Sequence, residues 1–339
     1  MKVHYLDVGQ GDSILIHTKD VAMLIDTGDR GYGAGIVSYL KNQGAKTPDY
    51  LLLTHPHDDH IGGAVEVINA IDIDQIIMPK VSHTSQTFEN LLTTIQSKGM
   101  KITTPNPGDE YKLGDAKFTI LGPNRSNYDN LNNYSVVNKV IFGNTSFLFT
   151  GDAESQSESE ILGGGLNLKA DVLKVGHHGS DTSTTESFLK AVTPTHAVIS
   201  CGKGNKYGHP DQSVLTRLGN YGIKVYRTDE SGTIIITSDG ENLTFNKDAS
   251  SIKKNTPPKQ KTEQKTKTEP KEQAEPEQKQ EAKPTPPETD NVEEVYITNT
   301  GKKYHRGSCA SLKKSKIPIS LEKAKKDGYE PCKRCHPPQ

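Results

Sequence analysis

Six consecutive residues, His55-Pro-His-Asp-Asp-His60, carry three imidazoles and two carboxylates directly after the apolar run Leu51-Leu-Leu-Thr54 and before Ile61-Gly-Gly-Ala64. Imidazole nitrogen and carboxylate oxygen are the donors that Zn(II) and similar ions accept, and no packing need asks for five such groups in one strand-to-helix turn. Other apolar runs also end in polar sets: Phe147-Leu-Phe-Thr-Gly-Asp152, Asp171-Val-Leu-Lys-Val-Gly-His-His-Gly-Ser180 and, standing apart, Tyr207-Gly-His-Pro-Asp211. Singly, each is an ordinary turn or strand end. Together with residues 55–60 they hold donors enough for two metal ions. Such a pair would lower the pKa of bound water from about 16 toward 7 and neutralise the oxygens of an anionic substrate. The chemistry expected is therefore hydrolysis, by a hydroxide held between the metals. No Gly-x-Ser-x-Gly or Ser-His-Asp arrangement supports a serine nucleophile at Ser180 or Ser183.

Positioning these groups requires strands that end together. Period-two runs predict strands over Val3–Val8, Ser13–Ile16 and Ala22–Ile25, and helical spacing appears at Ile36, Val37, Leu40 and at Phe88, Leu91, Leu92, Ile95. Further apolar runs at 50–54, 74–78, 117–121, 136–142, 146–149, 171–175, 196–200, 223–226 and 233–237 alternate with plausible helices, which predicts sheets covered by helices. No repeat with a period of 20 to 50 residues is visible, which leaves room for a duplicated sheet-plus-helix half diverged beyond sequence recognition.

The 339 residues exceed one ordinary core, and the net charge of -1 hides a division. Residues 1–252 hold 21 basic and 29 acidic groups, 253–290 hold 9 and 8, and 291–339 hold 11 and 5. The middle segment has seven Pro, no aromatic residue and only Ala274 and Ala282 as apolar side chains. It cannot bury enough surface to offset its chain entropy, so a disordered linker is expected over 249–292, between domains at 1–248 and 293–339. No apolar stretch is long enough to span a membrane. The absence of a leader-like start predicts a cytoplasmic protein, or an extracellular one if the true N-terminus lies upstream.

The His-x-His-x-Asp-His run, Asp26 closing Leu24-Ile-Asp-Thr-Gly28, and Gly151-Asp152 make residues 1 to about 240 resemble the metallo-β-lactamase superfamily. Within it they look like the hydrolase domain of the competence protein ComEC, on Leu6-Asp-Val-Gly-Gln-Gly-Asp-Ser13, Leu53-Thr-His-Pro-His-Asp-Asp-His-Ile-Gly-Gly63, Leu173-Lys-Val-Gly-His-His-Gly-Ser180 and Asn205-Lys-Tyr-Gly-His-Pro210. The resemblance implies an α/β fold, a four-layer αββα sandwich with metals at one edge between the sheets. It implies His55 and His57 on a first ion, Asp59, His60 and His209 on a second, Asp152 bridging both, and Asp26 as a buried carboxylate orienting the loop histidines. Where many members place another histidine, this chain reads Asn132-Asn-Tyr-Ser135. The first ion is then short of a ligand, and the pair His177-His178 is the candidate to supply it. One of the two is expected on metal and the other facing substrate, to stabilise an oxyanion or protonate the leaving oxygen; which is which stays open. Asp59, His177 and His178 are the candidate catalytic side chains, and Asn133 is expected to hydrogen-bond beside the site.

At the other end, His305-x3-Cys309 and Cys332-x2-Cys335 flank a helical stretch, Leu321-Glu-Lys-Ala-Lys-Lys326. One His and three Cys make a closed tetrahedral zinc set, a staple that so small a module needs. Thr300-Gly-Lys-Lys-Tyr-His-Arg-Gly-Ser-Cys309 with Gly328-Tyr-Glu-Pro-Cys-Lys-Arg-Cys335 resembles the metal-binding domain of the Ada DNA-repair protein. That family's methyl-accepting Cys corresponds here to His305, which favours a structural zinc over alkyl transfer. The basic module is expected to dock on nucleic acid through Arg306, Lys333 and Arg334, chiefly by phosphate contacts.

The expectation is a hydrolase using two divalent ions, Zn or Mn, with one structural Zn in the tail, acting on DNA or a related phosphate ester as a phosphodiesterase or nuclease. A phosphorylcholine-type or lactone ester is the rival substrate. A catalytically inactive DNA-binding or scaffold protein is the rival class.

Overall fold

Strand Ile14–His17 turns Ile14 and Ile16 to one face of its sheet and Leu15 to the other, and all three are buried. A strand apolar on both faces needs a layer on each side. The structure, a computed structural model, describes residues 1–45, 47–251, 294–298, 302–306, 309, 312, 317–326, 328–332 and 334–335. They fall in two units, Met1–Lys261 and Thr262–Gln339.

In the first unit one sheet has eight strands, in the order Leu243–Phe245, Ile234–Ser238, Lys2–Tyr5, Ile14–His17, Ala22–Ile25, Tyr50–Leu52, Gln75–Ile77 and Ile102–Thr103. The other has seven, in the order Glu110–Leu113, Ala116–Ile120, Asn138–Phe142, Thr145–Phe149, Val172–Lys174, His196–Ile199 and Lys224–Arg227. Between them Ile14, Ile16, Met23 and Ile25 meet Phe118, Phe147, Phe149 and Val198. Outside the first sheet, helices Gly33–Asn42, Ala64–Ala70 and Gln86–Ser97 bury Ile36, Leu40, Val67, Phe88 and Leu91 against Leu15, Leu24 and Leu51. Outside the second, helices Ser155–Gly163, Glu186–Val192 and Gln212–Asn220 bury Ile161, Phe188, Leu189, Val214 and Leu218 against Leu148, Leu173 and Ala197. The result is a four-layer αββα sandwich, in which each fully buried Leu, Ile, Val or Phe stabilises the fold by roughly 1.5–3 kcal/mol.

The two sheets share a pattern. From Ile234–Ser238 to Ala22–Ile25 there are three antiparallel pairings, followed by three parallel ones out to Ile102–Thr103. From Glu110–Leu113 to Thr145–Phe149 there are again three antiparallel pairings, followed by three parallel ones out to Lys224–Arg227. The duplication absent from the sequence is present in the topology. One expected strand is corrected: the run 3–8 leaves the sheet after Tyr5, and Leu6 and Val8, although buried, belong to a loop.

In the second unit Glu294–Ile297 pairs antiparallel with Ile317–Ser320, and Lys303–Tyr304 pairs parallel with Glu330–Pro331. Helix Leu321–Lys326 adds Leu321 and Ala324 to a small core with Val295 and Tyr304. The expected linker lies, beyond Ser251, outside the described residues, as does Lys333. Among the described residues no helix is long and apolar enough to cross a membrane.

Candidate metal centre

The acidic and histidine segments of the first unit come after the C-terminal ends of strands that have a parallel neighbour. Asp26 follows Ala22–Ile25, residues 55–60 follow Tyr50–Leu52, Asp152 follows Thr145–Phe149, His177 and His178 follow Val172–Lys174, and His209 comes after His196–Ile199. Strand ends are where an α/β sheet frees backbone and side chains for chemistry. Beyond Leu52 the chain caps the short helix Asp58–Ile61 with an extended His57, and Asp58 and Asp59 occupy its positive first turn. The helix is pinned from two sides. A Cβ on Gly11 would strike the Asp59 carbonyl oxygen, and one on Gly62 would strike the backbone of Asp29 and Arg30, so glycine is required for this close approach. The turn Gly176–Gly179 is strained: His177 (φ 48°) and His178 (φ 55°) are successive left-handed non-glycine residues.

Asp152 is the hub. Its Oδ2 lies 3.3 Å from His60 Nε2, 3.4 Å from His178 Nε2 and 3.8 Å from both His55 Nε2 and His177 Nε2. Asp59, His60, Asp152 and His178 bring one donor atom each within 4.8 Å of one another. The far nitrogens of the two buried histidines are already engaged. His60 Nδ1 is 2.7 Å from Asp26 Oδ2, and His178 Nδ1 is 2.9 Å from the Ser200 carbonyl. Both acceptors require an N–H at Nδ1, which leaves a lone pair on each Nε2. His60 Nε2, His178 Nε2 and Asp152 Oδ1 are buried without a hydrogen-bond partner. Buried polar atoms rarely go unpaired, and a cation among them would satisfy all three, so these residues fit a metal ion.

Without a cation the carboxylates draw protons onto these same imidazoles, protons that a bound metal ion would displace. Burial pulls both imidazoles down, but the facing carboxylates outweigh it: His178 is pushed up to about 10 and His60 well above its ordinary value. Burial would raise Asp59 and Asp152, yet their histidine neighbours hold both below the usual carboxylate range. His55, fully buried, is driven well down by desolvation and the neighbouring His60. It lies 3.0 Å through Nε2 from His57 Nδ1 and 3.1 Å through Nδ1 from Thr54 Oγ1. Asp26 is saturated, accepting from Thr54 N–H (2.8 Å), Thr54 Oγ1 (2.6 Å) and His60. Asp12, close to Asp26 and His60, forms a buried 2.8 Å ion pair with Lys174 through Oδ2, while its Oδ1, 3.6 Å from His178 Nδ1, has no hydrogen-bond partner.

One expectation is corrected. His178 does not supply a ligand beside His55 and His57; its Nε2 faces Asp59 (3.3 Å) and Asp152, because the double left-handed turn directs the paired rings apart, 65° between planes. His177 remains 23% exposed against 2% for His178, and places Nδ1 3.3 Å from Glu154 and 3.1 Å from Thr182 Oγ1. His209 stands outside the four-residue group, as His55 and His57 do; its ring lies edge-on to that of His177 at 5.5 Å, and its Nδ1 is buried without a hydrogen-bond partner. Asn133 hydrogen-bonds beside the site without lining its cavity: its Oδ1 accepts from the N–H of Glu154 and Ser157 at the start of helix Ser155–Gly163. Its neighbour Asn132 lines the cavity instead and donates to Glu154.

That cavity, about 420 Å³, opens over His57, Asp59, Asp152, His177, His178 and His209, with Gln10, His83, Ser85 and Tyr207 completing its wall. Glu154, His83 and the Asp12–Lys174 pair escape sequence reasoning. The available signal was position: Glu154 lies two residues beyond Asp152, and His83 follows the end of strand Gln75–Ile77.

The family model of the metallo-beta-lactamase superfamily matches residues 6–203. The chain belongs to the metallo-beta-lactamase superfamily. The ComE operon protein 3 of Bacillus subtilis (strain 168) is 36% identical to it over 252 residues, 69% of this chain and 32% of that protein. Competence protein ComA of Neisseria gonorrhoeae is 34% identical over 231 residues, 67% of this chain and 31% of that protein. The chain spans about a third of the length of these relatives. Among solved structures, the metallo-beta-lactamase fold protein YhfI from Bacillus subtilis aligns over 69% of this chain and 99% of its own, at 13% identity and a TM-score of 0.46.

In the second unit His305, Cys309, Cys332 and Cys335 bring their donor atoms within 4.8 Å of one another, and His305 Nδ1 lies 3.3 Å from Cys309 Sγ. Two strand pairings hold them: His305 bridges to Tyr296, and Cys332 N–H donates to the Tyr304 carbonyl. One imidazole and three thiols outside any disulfide, gathered around one point, fit a tetrahedral zinc ion.

Proposed function

We propose that residues 1–248 form a binuclear metal-dependent phosphodiesterase or nuclease acting on DNA, joined through a linker at 249–292 to a zinc-stapled, nucleic-acid-docking module at 293–339. The observation that carries the catalytic reading is the convergence of unpartnered donor atoms on His60, His178 and Asp152 at the floor of an open cavity. Asp59, His60, Asp152 and His178 would hold one ion, and His55, His57 and Asp152 the other. Bound there, two divalent ions, Zn or Mn, would supply Lewis acidity toward a phosphoryl oxygen and toward water.

The chain's own residues do the rest. Asp26 and the Ser200 carbonyl fix the tautomers of His60 and His178, keeping Nε2 as acceptor. His177, oriented by Glu154 and Thr182, faces the cavity and donates a proton to the leaving oxygen. Asn132, whose Nδ2 donates to Glu154 at 2.9 Å, steadies that carboxylate. The competence-related names of two relatives support DNA as substrate. So does the basic tail, where Arg306 and Arg334 are exposed.

The acidic balance of residues 1–252 supports a rival, a small ester, because a negative body does not attract a polyanion by its own field. The test is hydrolysis of single- and double-stranded DNA and of bis-p-nitrophenyl phosphate with Mn(II) or Zn(II), by wild type, Asp152→Ala and His57→Ala. DNA cleavage by wild type alone is expected. Cleavage of the small ester only would favour the rival, and equal turnover by all three proteins would end the metal mechanism. Removing 253–339 should weaken DNA affinity and flatten its salt dependence while small-ester hydrolysis persists.

A further inference from the structure

Tyr207 is 58% exposed, more than any other large apolar or aromatic side chain among the described residues, yet it is not loosely held. Asn205 rivets its turn. The amide oxygen accepts from the N–H of Tyr207 (3.1 Å) and His209 (3.0 Å), and the amide nitrogen donates to the carbonyls of Gly202 (2.9 Å) and His209 (2.5 Å). The Tyr207 ring stacks on that of His209, centroids 5.7 Å apart and planes 23° apart, and both line the cavity with Asp152 and His177. A tyrosine fixed in water at the mouth of a polar cavity forgoes the burial that Tyr5 and Tyr226 obtain in the same unit. What it offers is an exposed ring, stacked on His209, in the cavity that the hub carboxylate also lines.

Its neighbours narrow the ligand. Lys206, itself exposed, holds its Nζ over the ring, 5.1 Å from the centroid, and Lys203 is exposed on the same loop. Two ammonium groups oppose the quaternary cation that an exposed aromatic would otherwise attract, and they suit phosphates on either side of a stacked base. We infer that Tyr207 is a stacking platform for the nucleobase adjoining the reacting phosphate, with Lys203 and Lys206 on the flanking phosphates, so that the cavity selects unpaired nucleic acid. The inference rests on the phosphodiesterase reading and names its substrate form.

The test uses the full chain loaded with Mn(II) and two single-stranded oligonucleotides of equal length, one with ordinary bases and one built of abasic sites. Wild type should show a KM for the base-bearing strand lower by roughly 5- to 100-fold, the range that one stacked base supplies. Tyr207→Phe should keep the preference, and Tyr207→Leu should erase it, with the change carried by KM. Equal KM values for the two strands in wild type, a preference for duplex, or a Leu variant that still favours bases would overturn the platform and leave the hydrolase reading standing. Failure of wild type to cleave any phosphodiester would overturn both.

Discussion

The two halves of the large unit run the same series of strand pairings and put a carboxylate beyond the corresponding strand of each, to opposite effect. After Ala22–Ile25 the left-handed residue is Asp26 itself (φ 56°), and its carboxylate is saturated by Thr54 and His60. After Thr145–Phe149 the left-handed residue is Gly151 (φ 51°), and the following Asp152 keeps Oδ1 without a partner while Oδ2 faces four imidazoles. A strand-end acid thus becomes a clamp or an open donor according to whether neighbouring N–H and O–H groups reach it first. The halves are tied together beneath the site by Lys174 of one and Asp12 of the other.

This comparison can be broken at several points. The largest effect is expected from Asp152→Asn, which removes the shared negative donor: metal-dependent turnover should fall by roughly 10³-fold or more. Metal content of the purified variant, measured against wild type, checks the cause, and normal metal with normal turnover would deny Asp152 its place as hub. Next comes the tie between the halves. Lys174→Met strands the Asp12 carboxylate in a dry interior and should cost about 3–5 kcal/mol in urea unfolding. Adding Asp12→Asn should restore much of that loss.

The clamp should matter less than the hub. Asp26→Asn should keep a contact to Thr54 but lose the acceptor that fixes His60, weakening metal binding by roughly 10- to 100-fold. Titration with a competing chelator reads this directly; a loss as deep as that of Asp152→Asn would mean that Asp26 binds metal itself. The smallest effect concerns a feature of the first half alone. His4 on strand Lys2–Tyr5 meets His17 at 3.0 Å, and burial, then His17 and Lys2, lowers its pKa to about 4. The unfolded chain takes up that proton below about 6.5 and the folded chain only near 4. The stability that His4 contributes is therefore whole above pH 6.5 and is lost as the pH falls toward 4. Melting temperature should drop across that window, and His4→Asn should make the drop smaller by about a few degrees.

Legibility followed the same division. The strands over 14–16, 22–25 and 146–149 and the helices around Leu40 and Leu91 were readable because burial on a fixed face imposes a period of two or 3.6. The run 3–8 misled because Leu6 and Val8 are buried in a loop, where the same alternation carries no strand. Strand Glu110–Leu113 escaped because only Leu113 is buried. The cluster at 55–60 announced itself by composition, whereas Glu154, His83 and Lys174 are single polar residues whose partners lie far away along the chain.

By itself the sequence determined which donor types exist, that they sit at strand ends, and that a basic Cys- and His-bearing tail follows a polar segment; all of these are properties of short stretches. Tertiary structure alone decided that His178 joins Asp59 and His60 rather than His55 and His57, that Asn132 rather than Asn133 lines the cavity, and that Asp26 is saturated while Asp152 is open. The physical reason is that hydrogen-bond saturation and ring direction depend on backbone torsions and on atoms brought together from separate strands, and local spacing encodes neither.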